Sequence, residues 1–188
     1  MTPQRGFFFD ADRCVNCHAC EVACQAAHGL SPVTHFRKGV EVWRGGLPEV
    51  TRTFVSISCL HCADPPCQRA CPVGAISKRP DDGIVVVDRE LCTGCRECYA
   101  ACPRHAPQFG ADGVMAKCDL CLELGSAPAC AAACPADALF SGAMERLADL
   151  AAKRGGKRLG GPEHPSMLIA HHGSELPINA LIIGDAPD

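Results

Sequence analysis

Apolar residues come in short runs broken by turn-forming residues. Phe7 to Phe9 is an unbroken apolar run that reads as a strand, and Glu21 to His28 reads as a helix stopped at Gly29. Val40 to Trp43 predicts an edge strand, and the β-rich run Thr53 to Ser58 another strand. A short helix is expected near Gln68 to Cys71. Pro80-Asp81-Asp82-Gly83 reads as a turn that leads into a strand, Ile84 to Val87, ended by Asp88. A helix is expected over Cys98 to Cys102. Ala143 to Lys153 places Met144, Leu147 and Leu150 on one helical face, with Arg154-Gly155-Gly156-Lys157 as its stop. Leu168 to Ala170 and Ala180 to Ile183 predict short strands in a tail expected to lie over the surface or on a partner. The weakly charged segment Leu176 to Pro187 is expected to cover the core.

Composition makes this pattern stranger. Of 188 residues, 47% are hydrophobic, but only 5% are aromatic, and alanine and cysteine inflate the apolar total. Bulky material for an ordinary core is scarce, so something else must hold the chain together. The net charge of −3 arises without a basic block, which excludes a mainly electrostatic nucleic-acid binder. No stretch approaches the apolar length of a membrane span, and Met1 to Asp10 does not read as a signal peptide.

What remains is sixteen cysteines in four groups of four. The first is Cys14-x2-Cys17-x2-Cys20-x3-Cys24, and the second is Cys59-x2-Cys62-x4-Cys67-x3-Cys71-Pro72. The third is Cys92-x2-Cys95-x2-Cys98-x3-Cys102-Pro103, and the fourth is Cys118-x2-Cys121-x8-Cys130-x3-Cys134-Pro135. Disulfides do not explain the regular two-residue spacing, and structural zinc prefers two paired knuckles around a longer loop. The first and third groups match the bacterial ferredoxin run, in which the fourth cysteine ligates the other cluster of a pair. A [4Fe–4S] cube needs one thiolate at each of four iron corners. Three thiolates two residues apart can come from one loop whose backbone N–H groups point at sulfur.

The fold class read from this is α+β: two nested ferredoxin-like two-cluster modules, loop-rich, with short strands and helices and a C-terminal tail. Residues 51–109 form an inserted module with cysteine groups two and three. Residues 1–50 plus 110–150 form an outer module with groups one and four, and 151–188 form a tail that contacts a partner or covers the core.

The four groups, with Gly6-Phe7-Phe8-Phe9-Asp10, Ser56-Ile57-Ser58-Cys59-Leu60-His61-Cys62, Asp64-Pro65-Pro66-Cys67, Lys78-Arg79, Asp82-Gly83, Val85-Val86-Val87-Asp88 and Cys95-Arg96, resemble the iron–sulfur electron-transfer subunits of molybdopterin oxidoreductases, dimethyl sulfoxide reductase type. The likeness covers roughly residues 6–141. It implies that Cys14, Cys17, Cys20 and Cys134 hold one cluster and that Cys118, Cys121, Cys130 and Cys24 hold the next. Cys59, Cys62, Cys67 and Cys102 would hold a third, and Cys92, Cys95, Cys98 and Cys71 the last. Some relatives replace a ligand by Trp and hold a [3Fe–4S] cluster. Here Cys95 and Cys98 both stand and the only Trp is Trp43, so four [4Fe–4S] clusters are expected.

The resemblance further implies a non-catalytic subunit that relays single electrons between a large molybdopterin catalytic subunit and a membrane anchor or a soluble carrier. It would be membrane-associated through those partners, on the cytoplasmic or the periplasmic face. The alternative is a free-standing polyferredoxin shuttle. His18 and His61 lie inside cysteine loops, where hydrogen bonds to sulfur would tune potential. His171-His172 reads as a surface feature. Arg13, Arg96 and Lys117 stand next to cysteines, as charge compensators or ordinary surface cations. No phosphate-binding glycine run is present.

Overall fold

The computed structural model describes residues 4–125 and 127–172, with Leu176 and Ile183. It is a small mixed α/β, loop-rich structure with strands β1 (Arg5–Asp10), β2 (Arg37–Arg44), β3 (Thr51–Ser58), β4 (Ile76–Lys78), β5 (Val85–Val87), β6 (Gln108–Phe109), β7 (Met115–Ala116), β8 (Leu139–Ala143), β9 (Lys157–Arg158) and β10 (Met167–Ala170). The α-helices are α1 (Ala19–His28), α2 (Pro66–Arg69), α3 (Glu97–Ala101), α4 (Ala129–Ala132) and α5 (Met144–Lys153). Each expected helix is present, within a residue or two of its expected bounds. α1 stops where Gly29 takes a left-handed φ of 57° that few other residues adopt. Proline stands at the start of α2, where no backbone N–H is needed.

The main sheet runs β8-β1-β10-β9. β1 lies antiparallel to β8 and parallel to β10, with Phe7 opposite Met167. Successive side chains of a strand point to opposite faces, and here both faces are covered. Phe7 and Phe9 enter the core that contains the cysteines, while Phe8 enters a separate cluster with Met144, Leu147 and Ala151 of α5. All three rings are at most 1% exposed, which explains an apolar run without alternation. Phe8 also stacks on Phe140 at 5.8 Å.

β2 and β3 form one long antiparallel hairpin from Arg37↔Ser58 to Arg44↔Thr51. Gln108 and Phe109 of β6 pair with Ala116 and Met115 of β7. Backbone pairing therefore continues across positions 50 and 110, where the sequence suggests module boundaries.

The segment after residue 150 does more than coat the surface. Its strand β10 is an inner strand of the main sheet, because Met167 and Ala170 are apolar and bury against β1 and α5. The Ser166 N–H donates to the Leu60 carbonyl and the Ile183 N–H to the Arg104 carbonyl, both at 2.9 Å. Leu176 and Ile183 are buried in the main core. The other residues of the strand expected over 180–183 lie outside the described residues.

Candidate iron–sulfur sites

The four cysteine groups share one backbone device. In the first C-x2-C of each group, the residue just before the second cysteine has a positive φ: Asn16 52°, His61 43°, Gly94 70° and Leu120 60°. A left-handed residue after a right-handed or extended one turns consecutive N–H groups toward a common point, a concavity suited to an anion. A second device follows three of the closing Cys-Pro pairs. The third residue past the cysteine is left-handed, at Gly74, His105 and Asp137. In each case its N–H donates back to the cysteine carbonyl, closing a turn. The next N–H then reaches sulfur: Ala106 to Cys102 Sγ at 3.5 Å and Ala138 to Cys134 Sγ at 3.3 Å. Met115 N–H also approaches Cys92 Sγ at 3.5 Å.

These turns bring distant cysteines together. Cys14, Cys17, Cys20 and Cys134 line one cavity with Phe9, Ser56 and Ala138. Cys71, Cys92, Cys95 and Cys98 line another with Ile76, Phe109 and Met115. The thiols acting most strongly on Cys62 are Cys59, Cys102 and Cys67; those acting on Cys24 are Cys130, Cys121 and Cys20. Between neighbourhoods, Cys98 acts on Cys67, Cys59 on Cys118, and Cys20 on Cys24. Cys17 and Cys95 are exposed, and the other fourteen are buried or partly so.

Burial pushes the Cys24 and Cys67 thiols up to about 12 and Cys98 to about 11. Cys62 and Cys118 move up for the same reason. Thiols so placed ionise only beside strong positive charge, which iron supplies. Sixteen unpaired thiols, eight of them lining two apolar cavities, with N–H groups aimed at several sulfurs, therefore suit sulfur-bridged iron. His28, Asp119 and Cys121 also offer atoms within 4.8 Å of one another, but Cys121 already belongs to a thiol neighbourhood.

The cationic and histidine candidates separate by environment. His18 Nδ1 meets Glu21 rather than sulfur. His61 is fully buried; its Nδ1 accepts the Val85 N–H at 3.1 Å, which places its proton on Nε2, an atom without a partner among the described residues. Burial, with Lys117 and Lys78 nearby, holds its pKa well below the usual imidazole range, so the ring is neutral. His171 and His172 both reach Asp12, with His172 largely exposed. Arg13 donates to the Ala136 carbonyl at 3.0 Å, and Arg96 lies over the Phe109 ring at 5.3 Å. Lys117 is 5% exposed, its ammonium on the carbonyls of Val85 and Cys118. The sequence reading missed Arg37, which is 1% exposed and within electrostatic reach of the Cys130, Cys118, Cys20 and Cys24 thiols. It lies just before the strand expected from Val40, and only the structure extends that strand to pair with Ser58.

Residues 50–144 match the 4Fe-4S dicluster domain family. The chain belongs to the 4Fe-4S dicluster family. It is 45% identical over 159 residues to the "probable anaerobic dimethyl sulfoxide reductase chain YnfG" of Escherichia coli K12, covering 78% of this chain and 77% of that one. A second anaerobic dimethyl sulfoxide reductase subunit of the same strain is 44% identical over the same shares. The "formate dehydrogenase iron-sulfur subunit" of Wolinella succinogenes is 37% identical over 178 residues, 81% of this chain and 88% of that one. This dicluster protein thus binds [4Fe–4S] clusters and serves electron transfer as the iron–sulfur subunit of an oxidoreductase complex. Among its described residues no helix is long and apolar enough to cross a membrane.

Proposed function

We propose that this subunit holds four [4Fe–4S] clusters and carries electrons between a large molybdopterin catalytic subunit and a membrane anchor or soluble carrier. Cys14, Cys17, Cys20 and Cys134 hold one cluster, and Cys24, Cys118, Cys121 and Cys130 the next. Cys59, Cys62, Cys67 and Cys102 hold the third, and Cys71, Cys92, Cys95 and Cys98 the fourth. The observation that carries this is the crossing of the closing cysteines. Cys134 shares a cavity with the first group, and Cys71 shares one with the third. The ligand sets then divide into a middle module, residues 51–109, inserted in an outer one, residues 1–50 plus 110–150, with the residues from 151 closing the sheet.

When bound, each cluster takes up and returns one electron. The chain supplies position and environment. The electrostatic reach of thiols between neighbourhoods supports a linear order: the Cys92 set, the Cys59 set, the Cys118 set and the Cys14 set. Exposed Cys95 and Cys17 mark the two ends, where partners would approach. All sixteen thiols are spent on iron, so this subunit offers no open iron site and performs no catalysis itself. Membrane association comes through its partners.

Anaerobic purification from its native host tests this. About sixteen iron and sixteen sulfide per chain are expected, as four cubes require, together with a large molybdopterin-containing chain. Zinc in place of iron, or iron for only two cubes, would overturn the count. A monomer serving several unrelated partners would overturn the subunit role.

A further inference from the structure

Arg37 is the most deeply buried charged side chain among the described residues. Its Nη1 donates to the Ser56 carbonyl at 3.2 Å and to Ser56 Oγ at 3.0 Å, and its Nη2 donates to Ser58 Oγ at 2.8 Å. The guanidinium lies 4.4 Å from the centroid of the Phe7 ring. Among the described residues its Nε has no partner and no carboxylate pairs with it. A guanidinium stays charged under all ordinary conditions, so this is a permanent cation removed from water. Such burial is costly unless an anion stands nearby. The groups that act on it are the thiols of Cys130, Cys118, Cys20 and Cys24, drawn from the first and fourth cysteine groups.

Ser56 extends the contact to sulfur. Its hydroxyl accepts from Arg37 and stands 3.3 Å from Cys20 Sγ. With a lone pair occupied by the arginine, the hydroxyl is oriented to donate its proton to the sulfur. Arg37, Ser56 and Cys20 thus form a polarised row.

We propose that Arg37, acting directly and through Ser56, sets the reduction potentials of the two outer clusters, holding them above the values they would otherwise have. This rests on the ligand sets proposed above. Reduction adds one negative charge to a cluster, and a fixed cation in a poorly polarisable interior stabilises the reduced form more than the oxidised one. Hydrogen bonds to ligand sulfur act in the same direction. The effect is independent of pH because the guanidinium does not titrate.

The test is a redox titration of the intact complex followed by electron paramagnetic resonance, with iron content measured alongside. Arg37→Gln is expected to shift the reduction equilibrium of at least one outer cluster tenfold or more toward the oxidised form, which is about 59 mV for a one-electron couple. The middle pair should change less than about threefold, and Arg37→Lys, which keeps the charge, should lie closer to wild type. Ser56→Ala is expected to shift the Cys20 cluster in the same direction by a smaller factor. Unchanged outer potentials in fully loaded Arg37→Gln would overturn the proposal, as would an equal shift of all four clusters. If Arg37→Gln loses iron, Ser56→Ala decides, and an unchanged Cys20 cluster overturns it. A wild-type iron content of two cubes would instead strike the proposed ligand sets.

Discussion

Gly6 lies so close to Ser166 that a β-carbon on it would stand 2.0 Å from the Ser166 carbonyl oxygen and 2.6 Å from Met144 Sδ. The contact is where β1 meets the entry to β10. Gly6→Ala is therefore expected to cost about 1–3 kcal/mol or more, the usual penalty of overpacking. Gly46, whose added β-carbon would meet nothing within 4 Å, is the control. Gly46→Ala should stay within about 0.5 kcal/mol, as surface changes do. Thermal unfolding of the two loaded variants checks the difference.

Phe8 and Phe9 are neighbours with different duties. Phe8 packs on α5 in a cluster without cysteine, and Phe9 lines the Cys14 cavity. Phe8→Ala should cost about 3–5 kcal/mol of stability while leaving the iron spectra of the loaded protein unchanged. Phe9→Ala should disturb both. Denaturation followed in parallel with visible absorption separates the two effects.

Cys98 stands in the cavity lined by Cys71, Cys92 and Cys95. Cys98→Ser is expected to convert or remove one cluster of the middle pair and leave the outer pair largely intact. Low-temperature paramagnetic spectra report which signals vanish, and loss of an outer signal would refute the crosswise ligand sets.

Iron removal should unmake the interior. Arg37 and Lys117 are buried without a carboxylate ion pair among the described residues, and many thiols sit in apolar surroundings. Stripped of its clusters, the protein keeps two cations in a medium that disfavours charge. Anaerobic chelation is expected to abolish near-ultraviolet circular dichroism and the cooperative unfolding transition. A colourless, iron-free protein with an intact near-ultraviolet signal would contradict this.

Much of this architecture is legible in the chain. The cysteine spacing announces [4Fe–4S] binding, the triple phenylalanine announces a strand buried on both faces, and Gly29 announces the end of α1. Other features leave no mark on a linear reading. β8, Leu-Phe-Ser-Gly-Ala, has the composition of a loop and becomes a strand because β1 offers it an edge. The pairing of Phe7 with Met167 is parallel and joins opposite ends of the chain, so no local turn betrays it. The left-handed positions are visible only where glycine fills them, as at Gly74 and Gly94. At His61 and Leu120 the same geometry is imposed by the loop between the cysteines. Arg37 looks like any surface strand arginine until Phe7, Ser56 and Ser58 close around it.

The parallel union of β1 with β10 also sets a timetable. Phe7 to Phe9 leave the ribosome about 160 residues before Met167, on which one flanking strand depends. Until then β1 lacks its parallel neighbour, while Cys59 to Cys102 have long since emerged. The nascent polypeptide can therefore bring Cys59 to Cys102 together before β1 is paired on both edges. Chains arrested before Met167 are expected to remain open to protease at Phe7 to Phe9, and full-length chains to be resistant there.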